Sequence, residues 1–97
     1  MIRVQNEAEA VAVANESEYG LSSAIYSRDS ARAWNLAQNL QTGICHINGP
    51  TVHDEAQMPF GGCKSSGYGR FGGRAGIAEF TELRWITLQT LPRELPF

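Results

Sequence analysis

The stretch from Ser22 to Asn48 constrains the fold most, because two β-rich runs, "SSAIYS" and "ICHIN", flank a segment with helical apolar spacing. Ala33, Leu36, Ala37 and Leu40 recur at i, i+3, i+4 and i+7, which is one face of an α-helix. Asp29 or Ser27 can accept the orphan amides at its start, and Gly43 ends it. Strand, helix and strand in this order favour a right-handed parallel crossover over a hairpin, since a hairpin leaves no room for a helix. The class is therefore α/β.

The flanking segments carry their own punctuation. Residues 2 to 5, "IRVQ", lean towards β, and Asn6 with Glu9 three residues later makes a box-like cap for a helix over Glu7–Asn15. Ala8, Val11 and Ala12 share one of its faces, and "SEYG" closes it with Gly20 free to take a positive φ. Residues 49 to 72 read mostly as loop, far longer than an ordinary connection, which marks a functional surface in a compact domain. "GRAGIAEF" can form a short helix, "ELRWITLQ" is the last strand candidate, and "TLPRELPF", with two prolines, reads as an irregular tail. The chain has no internal repeat and no low-complexity segment.

Composition excludes several classes of function. With 42% hydrophobic and 19% charged residues the chain is globular in character and expects a packed core, and its 97 residues allow at most one domain. A net charge of -2 with scattered Arg and Lys leaves no basic stripe for nucleic acid. "MIRVQNEAEA" has no apolar core of a leader, and no run approaches the ~18 apolar residues of a membrane span, so the expectation is a cytoplasmic chain with no membrane partner. Two isolated cysteines, Cys45 and Cys63, then read as reduced thiols and not as a disulfide.

The stretch "MPFGGCKSSGYGRFGG", residues 58 to 73, invites a nucleotide-binding reading through its Lys-Ser pair and the G-x-G-x-x-G of Gly67, Gly69 and Gly72. A phosphate loop needs glycine directly before its lysine, and here Cys63 precedes Lys64. A dinucleotide fingerprint needs a strand before its first glycine, and what precedes Gly67 is polar and glycine-rich. Neither pattern holds.

Each chemically capable side chain has a plain alternative. Cys45 is a potential nucleophile with His46 beside it, but neighbours on a strand point to opposite faces, which favours a simple strand thiol. Cys45, His46, His53, Asp54 and Cys63 are of metal-ligating type, although their spacing matches no zinc knuckle. His53 and Asp54 lie in the long loop and can pair facing a ligand or simply meet solvent. Phe60, between Pro59 and two glycines, suits a pocket wall or core packing.

"ANESEYGLSSAIYSRD", "GICHIN", "MPFGGCKSSGYGR" and "FTELRW", in this order, resemble the C-terminal part of the NAD(P)-dependent aldehyde dehydrogenases. The matches are Ala14-Asn15, Tyr19-Gly20-Leu21, Asp29, Gly43 to Asn48 and Pro59 to Arg70, and the likeness covers nearly the whole chain. "NGPTVHDEAQMPFGG" with "GYGRFGG" is similar to the branch acting on aromatic aldehydes such as salicylaldehyde, benzaldehyde or vanillin. Phe71 stands where many members carry glutamate and reads as a marker of that branch.

The resemblance implies a partial catalytic domain with parallel strand-helix-strand units over residues 1–82. It also implies a terminal oligomerisation strand and tail over 83–97, joining subunits of a homo-oligomer. It further implies oxidation of an aldehyde to the acid with NAD or NADP. The nucleophilic cysteine, the water-activating glutamate and the cofactor domain then belong to sequence preceding the matched part, so no catalytic, cofactor-binding or metal residue falls in this chain. Pro50, Thr51, Val52, His53 and Phe60 would border the aldehyde pocket. Two rival classes stay open: a stand-alone binding module without catalysis, and a small metal-binding protein using the Cys and His residues.

Overall fold

The computed structural model of the chain describes residues 1–92 and 94. Helix α1 spans Glu7–Asn15, and the Asn6 side chain accepts the Glu9 amide at 2.9 Å. The Glu9 carboxylate accepts the Gln5 amide at 2.7 Å, and Glu7 and Glu9 place negative charge at the positive end of the helix dipole. The preceding "IRVQ" forms no strand, because none of the described strands pairs with it.

After α1 the chain enters strand β1 (Tyr19–Gly20) and then β2 (Ser22–Ile25). Gly20 does not adopt the positive φ expected of a helix terminator. Its lack of a side chain serves close approach instead, since a Cβ there would stand 2.5 Å from the Gln41 carbonyl oxygen. Helix α2 covers Ser30–Ala37, with the Asp29 carboxylate accepting the Arg32 amide at 3.1 Å. An Arg32–Glu7 ion pair ties α2 to α1. Strand β3 (Ile44–Ile47) pairs parallel to β2, from Ser22 against Ile44 to Ile25 against Ile47. The helix crosses between them against β3, and Ala33, the one fully buried apolar side chain among the described residues, sits in that layer.

Helix α2 stops at Ala37, short of the expected Gly43, and Leu40 falls in the turn beyond it. Gly43 is needed for a different reason: a Cβ at this position would collide with the Gly61 carbonyl, so the glycine lets the loop lie on the start of β3.

The segment 49–72 is less open than its composition suggests. Strand β4 (Cys63–Lys64) pairs antiparallel with β1, and Phe60 and Phe71 exchange two backbone hydrogen bonds of 2.7 and 2.8 Å. Helix α3 (Gly73–Glu79) follows a positive-φ Gly72, as its sequence predicted.

Beyond α3 the expected strand "ELRWITLQ" is not formed among the described residues. Trp85 is 90% exposed and Leu88 86%, so the segment has strand composition without a ladder or apolar neighbours. The tail residues 93 and 95–97 lie outside the described residues. The radius of gyration is 21.1 Å, where a compact chain of this length has about 12.5 Å. A packed core of the expected size is thus absent from the described residues, and no helix among them is long and apolar enough to cross a membrane.

Candidate functional site

Asn48 closes β3 in the left-handed region, at φ 57°, where asparagine is tolerated far better than a β-branched residue. Its side-chain oxygen accepts the Ser27 amide at 2.9 Å, which locks the ends of the two parallel strands together. The chain then turns back, held by the Ser22 hydroxyl donating to the Thr51 carbonyl at 3.1 Å. Residues 53 to 60 fold over the strand and line with it a half-open pocket of about 390 Å³.

Gly43, Ile44, Cys45 and His46 form the strand side of this pocket, and His53, Asp54, Glu55, Met58, Pro59 and Phe60 form the loop side. The His46 and His53 rings meet edge to face, with centroids 5.4 Å apart and planes at 78°. His53 Nε2 lies 3.4 Å from one Glu55 carboxylate oxygen, and the other oxygen accepts the Gln57 side-chain Nε2 at 3.0 Å. The Phe60–Phe71 bridge fixes the backbone of the Phe60 wall. His46 Nε2 is buried and makes no hydrogen bond, so through that atom it does not activate Cys45.

Of the residues expected to border a substrate, His53 and Phe60 line this pocket. Pro50, Thr51 and Val52 stand outside it, Val52 being 92% exposed. Sequence reasoning assigned no pocket role to Ile44, Cys45, His46, Met58 or Pro59. The signal lay in the strand leading directly into the loop: a chain that folds back at Asn48 must cover the residues just before it. Among the described residues, no three His, Cys, Asp or Glu side chains come together as a metal site would require.

The glycine-rich stretch is occupied by internal contacts. Lys64 Nζ donates to the Asn15 carbonyl at 2.8 Å and the Ser17 carbonyl at 2.9 Å, capping the negative end of α1. Ser66 Oγ accepts the Gly20 amide at 2.8 Å. Arg70 Nη1 donates to the carbonyls of Gly62 and Gly69, each at 2.8 Å, and its Nη2 stands 3.8 Å from Cys63 Sγ. The Glu79 carboxylate accepts the Arg70 amide at 3.1 Å and lies against Gly69, so this amide and glycine already face an internal anion. These residues do not fit a dinucleotide.

Comparison with known proteins places this architecture. The sequence model of the Aldehyde dehydrogenase family matches residues 1–86. A vanillin dehydrogenase from Pseudomonas fluorescens is 64% identical over 96 residues, covering 99% of this chain and 20% of that protein. Among solved structures, a salicylaldehyde dehydrogenase from Pseudomonas putida G7, complexed with salicylaldehyde, superposes with a TM-score of 0.91 at 52% identity, over 99% of this chain and 20% of that one. A Mycobacterium tuberculosis aldehyde dehydrogenase complexed with NAD+ aligns with a TM-score of 0.78 at 36% identity, over 84% of this chain and 16% of that one. The chain spans about a fifth of the length of the curated relatives it matches.

Proposed function

The chain belongs to the aldehyde dehydrogenase family, and from that premise we propose that it is the C-terminal segment of an NAD(P)-dependent enzyme oxidising an aromatic aldehyde to its carboxylic acid. The observation that carries this reading is the 64% identity, over 99% of the chain, to an enzyme named for vanillin. NAD or NADP, held by other parts of the complete enzyme, supplies the hydride acceptor. The residues of this chain do three other things.

They shape the aldehyde pocket, with His53 and Phe60 as walls. They hold that wall in place, through Asn48 at the end of β3 and the Phe60–Phe71 bridge. The segment "ELRWITLQ" forms a strand with another subunit of a homo-oligomer, a role supported by the exposure of Leu83, Trp85, Ile86 and Leu88. Residues 1–82 are on this reading the last part of the catalytic domain, and 83–97 the oligomerisation strand and tail. The cytoplasmic location belongs to the same proposal and is supported by two thiols left unpaired, Cys45 and Cys63.

A hybrid enzyme tests the assignment. This chain replaces the matching fifth of the salicylaldehyde dehydrogenase, and the hybrid is assayed with aromatic and short aliphatic aldehydes. NAD-dependent oxidation of the aromatic substrates within about an order of magnitude of the parent's kcat/KM is expected. A folded hybrid that oxidises aliphatic aldehydes and rejects aromatic ones refutes the aromatic assignment.

A further inference from the structure

The Phe60 wall is backed by a second layer. Its amide and carbonyl both bond to the Phe71 backbone, in a bridge that stands outside any longer ladder. The Phe71 ring lies against Phe80, the C-cap of α3, with centroids 6.1 Å apart and planes at 47°. The start of α3 presses on the same loop, since a Cβ on Gly72 would collide with the Met58 carbonyl and one on Gly73 with that of Gln57. Phe71, Ile77 and Phe80 then form a shallow apolar hollow over Gly72, Gly73 and Gly76. Ile77 is 67% exposed and Phe80 82%, although they share one helix face. The hollow ends at Thr81, and the next residue begins "ELRWITLQ", with its own exposed Leu83, Trp85, Ile86 and Leu88. One apolar strip thus runs from the back of the pocket wall into the segment assigned to subunit contact.

We infer that a second copy of this chain covers the α3 hollow as well as the strand, and that this cover, acting through Phe80 and Phe71, fixes the Phe60 wall so that assembly strengthens aldehyde binding. The inference rests on the functional reading above, in which Phe60 is a pocket wall and "ELRWITLQ" a subunit contact, and adds a link between the two. A partner strand laid along residues 82–89 continues past Phe80, which makes that same copy the occupant of the hollow. Uncovered, Phe71 is 46% exposed and its ring is free to shift on the solvent side. Covered, it is confined between Phe80 and the partner, and the backbone bonds to Phe60 are confined with it. Such coupling is reciprocal, so aldehyde strengthens assembly in turn.

The test uses the complete enzyme with benzaldehyde as probe and without cofactor, so that binding alone is read. Ile86→Lys with Leu88→Lys is expected to dissociate the oligomer in sedimentation and to weaken benzaldehyde binding in calorimetry about fivefold or more. Phe71→Ala is expected to weaken binding in the assembled enzyme, and the two lysines should then add no further loss. Dissociation with unchanged affinity overturns the inference, assigns the cover of α3 to the preceding part of the enzyme, and leaves the aldehyde dehydrogenase reading intact. Fully additive losses from Phe71→Ala and the lysines overturn it as well. A double-lysine variant that stays assembled removes the subunit role of "ELRWITLQ" and the inference with it. The unaltered enzyme covers the case in which a variant does not fold: its association, followed by sedimentation over a range of concentrations, should tighten on adding benzaldehyde. Unchanged association overturns the inference.

Discussion

Expressed by itself, the 97-residue chain should fail to hold the described arrangement as a monomer, and surface area sets the size of the deficit. A compact protein of this length exposes about 5,500 Å². This chain exposes 8616 Å², an excess of about 3,100 Å² over the compact expectation. A standard protein–protein interface covers only ~800 Å² of each partner, so the uncovered surface is several times what an ordinary contact would remove. Trp85, Ile86 and Leu88 account for part of it, all three on a segment of strand composition with no ladder. Full burial of each such side chain contributes ~1.5 to 3 kcal/mol that the isolated chain forgoes. Sedimentation velocity, small-angle scattering and thermal melting read the outcome together. Concentration-dependent association or a broad, low-temperature transition is expected, and Ile86→Lys with Leu88→Lys should reduce the association. A monodisperse monomer with a radius of gyration near 12.5 Å and a sharp, high-temperature transition would refute the reasoning and favour a stand-alone module.

Within the complete enzyme, Gly43→Ala should cost ~2 to 4 kcal/mol, because its methyl group meets the Gly61 backbone, which cannot move aside as a side chain could; soluble yield and thermal midpoint report it. Lys64→Ala removes two hydrogen bonds from the end of α1, and since Lys64 is exposed the loss should stay near 1 kcal/mol, visible as a modest fall in thermal midpoint at unchanged kcat. Phe60→Ala should lower kcat/KM for aromatic aldehydes by ~1 to 3 kcal/mol more than for short aliphatic ones, and equal losses would remove Phe60 from the substrate wall. The isolated chain should oxidise no aldehyde with NAD or NADP; cofactor-dependent turnover that Cys45→Ala abolishes would contradict its assignment as a segment.

The elements that the sequence announces are those whose signals are local. Asn6 caps α1 and Asp29 caps α2 because a short side chain can satisfy an amide three residues on without help from the rest of the chain. The parallel pairing of β2 with β3 follows from a helix-length connection, which is also a near-neighbour property. By contrast, β1 and β4 are two-residue strands far apart in the sequence, and no periodicity can be read in two residues. Tyr19–Gly20 therefore looked like a helix end, and Cys63–Lys64 like open loop. "ELRWITLQ" fails in the opposite sense: its β-rich composition is plain, but a strand exists only with a partner, and none of the described residues provides one.

The candidate site divides along the same line. His53 and Phe60 can be placed near a ligand from their loop and its resemblance to a family, whereas His46 stands out only as a neighbour of Cys45 and as one of several side chains of metal-ligating type. What gives His46 its interest is an unsatisfied nitrogen beneath a returning loop, a property of three-dimensional packing that strand alternation does not encode. The glycine-rich stretch teaches the converse. Its glycines invite a phosphate reading that their spacing already fails, and in the structure Lys64 is spent on the end of α1 and Glu79 on the Arg70 amide. Gly43 and Gly61 pack against backbone carbonyls, and Gly62 against the Ser66 side chain, where a Cβ would not fit. A lysine already neutralising a helix end and an amide already facing a carboxylate leave little for an incoming anion, so the pattern is better explained by the loop lying close over β3. That close approach is what makes Phe60 and His46 two sides of one pocket.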